Sequence, residues 1–524
     1  MRFGFPSDQD AAHEMPHATS RGQGNVWSSK ITGLAWMLLV GAWFFVVFPT
    51  EPLYFENQNT KFLHGMALAG IGHLDRDWTA NSIDVMPVFT GIVYALHVAT
   101  PPFVAYLVQI LLFAVFLHAV LEIARLATGR RMAGPAFSIV VGALIVVSQF
   151  SNGGARVWAG VAKQYLLGPA LEPQSFGVFF LLAVVFFLKK RVEAALLLAA
   201  VPAIIHPGYV VPAGTLMLAF VLAAWLGPDK ARRPRLPVII LALAAAAASM
   251  VYLGLRILPT DIESWQRANE ILAKIRIPRH AVPAHWFDFD AGAKTVGCML
   301  ALWLVRQRCP DLFWIIAFCF GTAVSLTLLT IMLDSSELGM ISPWRISVYL
   351  VPLGLAVLLG QAVAAGLDLS VGERTAFTHK ALGGILALLA VAVTARGLIE
   401  TAELYRHRVD PAHIVHMRET GEEETLYLTS PFDMNVRLES GLPQLVSWKS
   451  HPYKDVEVLE WFRRYKLAER VFRNPAIDCE ALAEAVERYQ ATHLLVDDPA
   501  KAIGCNSAVQ TFEEGGVRIF RLQS

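Results

Sequence analysis

The chain has 524 residues, of which 55% are hydrophobic and only 17% charged. Soluble domains carry about 25% charged residues, so this balance excludes an ordinary soluble globule, and a net charge of +1 offers no footprint for nucleic acid. Charge-free runs at 33–49, 132–154, 173–188, 195–226 and 237–255 match the roughly 20 apolar residues that a bilayer-crossing helix needs, and the chain reads as an all-α polytopic membrane bundle.

The first thirty residues are polar and Gly-rich, with Arg21 and Lys30 ahead of the first apolar run. No small-residue cleavage site follows that run, so 1–31 reads as a cytoplasmic segment and 33–49 as a retained helix. Eleven spans are predicted, at 32–49, 102–126, 133–150, 173–188, 192–206, 209–227, 236–256, 291–306, 311–332, 344–366 and 380–400. The short apolar stretch 85–98 is either an interfacial helix or a further crossing. Lys/Arg clusters at Arg125–Arg131, Lys189–Arg191, Lys230–Arg235 and Arg306–Arg308 fall in alternate connectors, which the positive-inside rule places in the cytoplasm. The outer segments are then 50–101, 151–172, the 206–208 corner, 257–290, 333–343 and everything after 400. This divides the chain into a transmembrane domain, 32–400, and an extracytoplasmic domain, 401–524.

Unusual polar chemistry gathers in those outer segments. The first carries Glu51, Glu56, Asn57, Gln58, His64 and His73, then the stretch GHLDRDWTANSIDVMP with Asp75, Asp77 and Asp84. Asp75 and Asp77 share a face only on an extended segment. A carboxylate here serves as a general base if burial and neighbours raise its pKa towards neutrality, or holds a divalent cation with Asn and Gln oxygens; a solvated acidic loop is the plain alternative. In 151–172, Arg156 and Lys163 either meet phosphate or snorkel to lipid headgroups, and Glu172 precedes Pro173, a residue suited to a helix's first turn. His206 sits at the tip of an apolar hairpin whose turn is Pro207-Gly208. In 257–290, ANEILAKIRI reads as an amphipathic helix lying on the membrane. RIPRHAVPAHW then presents Arg276, Arg279, His280 and His285 on a proline-stiffened path, and the planar guanidinium fork suits phosphate. Arg345 starts a span, where it is costly unless it snorkels or binds an anion.

From 401 the charge returns. ETLYLTSP (424–431) and THLLVDDP (492–499) read as buried strands, and CEALAEAVERYQ (479–490) has apolar residues at helical spacing, which together predict a small α/β domain. Cys479 and Cys505 are its only cysteines and can pair in an oxidising compartment. The stretch 436–465 mixes Arg437, Trp448, Lys449, Tyr453 and Trp461; aromatic faces and charges of this kind suit sugar rings, or an ordinary docking surface.

The layout resembles the GT-C superfamily of membrane glycosyltransferases, with many spans, a long acid-bearing first outer loop and a C-terminal soluble domain. Asp75-Arg76-Asp77 resembles the family's relaxed Asp-x-Asp-like motif. Individual stretches are similar to a group of bacterial multi-span membrane proteins of unknown function: Asn57-Gln58, Asp77, Arg276-Ile277-Pro278-Arg279-His280, and Trp448-Lys449-Ser450-His451-Pro452-Tyr453. The resemblance implies sugar transfer from a polyprenyl-phosphate lipid donor to a glycan, lipid or protein acceptor, outside the cytoplasmic membrane of a bacterium. In that scheme Asp77 or Asp75 is the general base. Arg279, His280 and Arg345 face the leaving phosphate with Lys163 or His206, while Arg276, Asn57, Gln58, Trp448 and Lys449 bind substrate. No cofactor is certain in this scheme, and a divalent cation is optional. The competing readings are a glycolipid or polysaccharide transporter or flippase, and a non-enzymatic envelope assembly protein. Reporter fusions within 72–87 and 276–285 are expected to score on the same, extracytoplasmic side; opposite sides would dismantle any shared site.

Overall fold

The computed structural model describes residues 24–48, 50–128, 135–148, 157–369, 375–406 and 411–523. Residues 1–23 of the expected cytoplasmic segment, Arg130, Arg131 and Arg156 lie outside them. Helices occupy the expected segments: Gly24–Val47, Val104–Ala127, Pro135–Ser148, Val178–Leu188, Val192–Ile205, Val210–Leu226, Leu236–Arg256, Phe289–Val305, Pro310–Leu333, Ser347–Leu369 and Thr375–Arg406. Among the described residues, six stretches are long and apolar enough to cross a bilayer: Val104–Ala127, Pro207–Leu226, Leu236–Arg256, Pro310–Leu333, Ser336–Gly366 and Gly384–Arg406. The chain is a multi-pass membrane protein. Length alone does not reach eleven crossings, because helices such as Val192–Ile205 fall short of the ~20 residues that the hydrocarbon needs. The stretch around 85–98 forms the helix Pro87–Ala99, 13 residues long. At 1.5 Å per residue it reaches about 20 Å, too short for a ~30 Å core. Its Phe89 and Val93 pack with Phe62, Leu63 and Met66 of the same outer loop.

The bundle is held by interdigitated aromatics, such as Phe44 edge-on to Phe113 at 5.0 Å and Phe187 stacked on Phe220 at 4.7 Å. The basic connectors are tied by ion pairs. Arg125 and Lys189 both reach Glu122, at 3.0 and 2.6 Å. Lys190 and Arg232 share Asp311, at 2.8 and 3.0 Å.

The C-terminal domain carries a sheet of β1 (Tyr427–Leu428), β2 (His493–Val496), β3 (Ala508–Glu514) and β4 (Val517–Leu522) in the order β1-β2-β4-β3. β1 and β2 are parallel; the other pairs are antiparallel. β1 and β2 lie within the two expected strand segments, and the helix Cys479–Tyr489 matches the expected one. Cys479 and Cys505 are joined by a disulfide.

The helix Ile262–Glu270 continues into a π-helical turn, Ile271–Arg276, in which the Ile277 N–H donates to the Leu272 carbonyl at 2.8 Å. Expected on the membrane surface, this segment instead buries Ala268, Ile271 and Leu272 against Leu428, Val458 and Trp461 of the C-terminal domain. Amphipathic spacing shows that one face is covered, not what covers it. Asp455, fully buried, fastens the approach by accepting from the Thr260 N–H at 2.6 Å and its hydroxyl at 2.9 Å.

The same domain locks onto the first outer loop. Gly72 and Gly441 have φ of +55° and +73° and meet backbone to backbone; a Cβ on Gly72 would collide with the Gly441 carbonyl oxygen, which accepts from the His73 N–H at 2.8 Å. Beside them Asp77 and Arg437, 0% and 1% exposed, pair at 2.9 Å. One Asp77 oxygen also accepts from the Thr79 and Ala80 N–H groups, at 2.8 and 3.2 Å, and the other from the Gln444 N–H at 3.0 Å. Breaking such a pair strands a buried charge. Arg437→Met is therefore expected to cost about 3–5 kcal/mol, and Arg437→Met with Asp77→Asn together less, as measured by thermal unfolding of the detergent-solubilised chain.

Candidate active site

Segments 50–101, 151–172, 206–208 and 257–290, the turn Pro343–Ile346 that carries Arg345, and the C-terminal domain converge on one polar centre. From the first loop come Asn57, Gln58 and Lys61, at the start and within the short helix Gln58–Lys61. The Asn57 amide donates to the Tyr165 hydroxyl and to a Glu172 carboxylate oxygen, both at 3.3 Å. Gln58, fully buried, accepts from the Tyr54 N–H at 2.6 Å and donates to the Leu171 carbonyl at 3.0 Å. The Asn57-Gln58 pair thus clamps the second outer segment and aims Glu172 inward. Arg345 donates to the Gln164 side-chain oxygen at 3.1 Å, and its guanidinium lies so close to Gly208 that any Cβ there would displace it. Gln164 follows a strained turn in which Ala162 and Lys163 both have φ of +58°. Arg276 donates to the Lys449 carbonyl at 2.9 Å and sits 5.4 Å over the Trp448 ring. Lys449 pairs with Glu56 at 2.8 Å.

The electrostatics follow from this geometry. Burial pushes the Glu172 carboxyl up to about 7, against opposing pulls from the Asn57 hydrogen bond and the charges of Lys61 and Lys449. Burial also lowers Lys61 to about 8, with Glu172 supporting its charge while Arg345 and Arg276 oppose it. Three histidines are held neutral. Burial lowers His280 to about 4, aided by Arg345 and Arg276. It lowers His206 as well, with Arg345 and Lys61 adding to the effect, and His451, with Arg276 adding. Several buried polar atoms in this centre lack protein partners: Gln164 Nε2, Arg276 Nε, His280 Nδ1 and His451 Nε2. Buried polar groups are seldom left unpaired, and amide and guanidinium N–H groups with no acceptor suit an acceptor-rich anion such as phosphate.

Of the sequence-derived candidates, Asn57, Gln58, His206, Arg276, His280, Arg345 and Lys449 lie at this centre. Trp448 packs 4.5 Å from Tyr465 and 5.5 Å from Trp461, so it backs Arg276 rather than offering an open face to a sugar. Arg279 and Lys163 are exposed. Asp75 is exposed beside Arg76 at 3.9 Å. Asp77 is sealed in its pair with Arg437, and both its oxygens are engaged; neither carboxylate of the Asp-x-Asp-like motif is set among the cations. Lys61, Gln164 and Tyr165 escaped the sequence reading. Glu172 was noted only as a helix-start carboxylate. Among the described residues no group of three or more His, Cys, Asp or Glu side chains is arranged to hold a metal ion.

Comparisons with known proteins add the following. The family described as Domain of unknown function (DUF6798) matches residues 414–468, the part of the C-terminal domain that holds Arg437, Gln444, Lys449 and His451. No curated protein matches the chain. Among solved structures, ArnT from Cupriavidus metallidurans bound to undecaprenyl phosphate aligns with a TM-score of 0.48 and 12% identity, over 95% of this chain and 98% of that one. The apo state of the same protein aligns with a TM-score of 0.44 and 13% identity, over the same shares.

The raised Glu172 pKa has a measurable sign. Between its ordinary value of 4.5 and its folded value of about 7, the folded chain keeps a proton that the unfolded chain has lost. Stability therefore falls as pH rises through that window and levels off above it. Thermal unfolding of the solubilised chain from acid to neutral pH is expected to show a shallower decline in Glu172→Gln than in the parent.

Proposed function

We propose that this protein is a GT-C-type membrane glycosyltransferase, transferring a sugar from a polyprenyl-phosphate donor to a hydroxyl-bearing acceptor at the extracytoplasmic face of a bacterial inner membrane. The observation that carries the reading is a buried carboxyl, Glu172, held by the Asn57 amide at 3.3 Å and within reach of the charges of Lys61 and Lys449, with Arg276 and Arg345 in turn acting on Lys61. The acceptor hydroxyl attacks the anomeric carbon and the bond from that carbon to the phosphate oxygen breaks. The hydroxyl proton passes to Glu172, whose pKa suits a general base at neutral pH. The polyprenyl phosphate leaves with one more negative charge than the donor carried. Lys61, Arg276 and Arg345 stand where that charge develops, and fixed cations in a water-poor site are a large catalytic contribution. Neutral His206 and His280 can donate hydrogen bonds without adding charge.

The base's role, given to Asp77 or Asp75 by the motif, passes to Glu172, because Asp77 has no oxygen free and Asp75 faces solvent. Glu56 holds Lys449, and through its backbone Arg276, in place. The outward orientation is supported by the disulfide between Cys479 and Cys505, which persists in an oxidising compartment, and by the basic connectors 125–131, 189–191 and 230–235, which suit the cytoplasmic side.

Glycolipid profiling of a deletion strain complemented with variants tests this. Glu172→Gln is expected to lower product at least about 100-fold at normal protein level, and Arg345→Ala to lower it as well, while Asp75→Asn leaves it unchanged. Full glycan production by Glu172→Gln would instead favour a transporter or flippase.

A further inference from the structure

The opposite end of the bundle carries a second concentration of charge. The helices Val178–Leu188 and Val192–Ile205 run between the outer centre, at Glu172 and His206, and a corner where three connectors meet. Asp311, at the start of Pro310–Leu333, accepts from Lys190 at 2.8 Å and from Arg232 at 3.1 Å. Arg235 donates to both Glu193 oxygens, at 2.7 and 2.8 Å. These bonds gather 189–193, 229–235 and 306–311 into one patch, in which nine lysines and arginines face three carboxylates. All three carboxylates are engaged, since Asp229 caps its own turn by accepting from the Ala231 N–H at 3.0 Å. Arg191, Lys230 and Arg306 stand exposed with no carboxylate partner among the described residues. Charges of one sign crowded in this way repel one another.

The patch lies at headgroup depth. Among the described residues the exposed tryptophans are Trp225, Trp303 and Trp314, and all three border it. Arg233 donates to the Trp225 carbonyl at 3.3 Å, the Arg306 guanidinium lies 5.3 Å over the Trp303 ring, and Trp314 follows Asp311 by three residues on one helix. Exposed tryptophans collect at the membrane–water interface. A cation that merely snorkels from a helix end is free to wander. Here the Arg232 side chain, 8% exposed, is clamped between Asp311 and the Phe187 ring, 5.1 Å away, so the connectors hold their cations at a fixed spacing. Guanidinium and ammonium groups in such an array grip phosphate oxygens, and basic pockets between membrane helices take anionic lipid headgroups.

We propose that this corner binds the phosphate headgroup of an anionic phospholipid of the cytoplasmic leaflet, gripped by Arg191, Lys230 and Arg233 with the three tryptophans at its rim. The bound anion offsets the repulsion among the cations, so occupation also stabilises the bundle. The site shares no residue with the outer centre and stands whether or not the chain transfers sugar.

Native mass spectrometry and thermal unfolding of the full chain in non-ionic detergent, with dioleoyl phosphatidylglycerol or dioleoyl phosphatidylethanolamine added, test the site. Phosphatidylglycerol is expected to stay bound and to raise the unfolding midpoint, and phosphatidylethanolamine to do neither at the same concentration. Arg191→Gln and Lys230→Gln are each expected to weaken phosphatidylglycerol about fivefold, the worth of one cation near an anionic headgroup, and both together about 25-fold. Arg191→Lys with Lys230→Arg keeps the charges and is expected to keep the lipid, which separates lost binding from lost folding. Arg463→Gln with Lys466→Gln, which takes two exposed cations from the C-terminal domain, is expected to change nothing. Equal binding of the two lipids, undiminished binding in the Arg191→Gln and Lys230→Gln pair, or an equal loss in the C-terminal pair overturns the site. The same rise in midpoint with inorganic phosphate at matched ionic strength, and no lipid retained, assigns the patch to a free anion and overturns the phospholipid reading.

Discussion

The structure depends on a buried ion pair. Asp77 and Arg437 come from the first outer loop and the C-terminal domain and meet where neither touches water. Such a pair is a poor source of net stability, because desolvating both charges offsets most of their attraction. Its geometric demand is severe, however. Either charge alone would be intolerable in that position, so the two segments must dock in one register. The Gly72–Gly441 backbone contact enforces the same register by leaving no room for a side chain. Arg276, Lys449 and His451 reach the site only because that docking is fixed.

The site itself is unbalanced by design. Lys61, Arg276 and Arg345 gather near a single buried carboxyl, and burial, with the neighbouring guanidinium charges adding to it, depresses the pKa values of Lys61 and His280. The protein supplies too few acceptors for the donors it buries. A chain that leaves guanidinium and amide N–H groups unmatched in a buried centre is built around an anion that arrives from outside. Glu172 stays near neutrality in this setting because desolvation outweighs the cations around it, which is also what a proton acceptor at neutral pH needs.

The fold was legible where one segment carries the signal. Runs of about 20 apolar residues announce membrane helices, β-branched and apolar stretches announced β1 and β2, and the pair of cysteines in the C-terminal domain left one bridge to form. The hairpin of β3 and β4 turns on Gly515-Gly516, a recognised hairpin signal. The site was half legible. Arg276, His280 and Arg345 stood out because cations beside apolar runs must be explained. Asp77 misled because a loop carboxylate reads alike whether it is solvated, reactive or paired, and its partner Arg437 lies in another domain. Lys61 sits in a four-residue helix with no periodicity to mark it, and Glu172 looked like a charge placed for a helix start. Burial, which separates these cases, is a property of the assembled fold and not of any window of sequence.

The π-helical turn Ile271–Arg276 has a consequence of phase. In a regular α-helix the side chain stacked one turn above Leu272 would be Arg276 itself, four residues on. The wider turn passes the backbone bond to the Leu272 carbonyl on to the Ile277 N–H instead, and the Arg276 guanidinium reaches the Lys449 carbonyl. One surplus residue in the coil thereby separates packing from ligand contact on a single short segment. Excising it would slip the winding back and set the cation over Leu272.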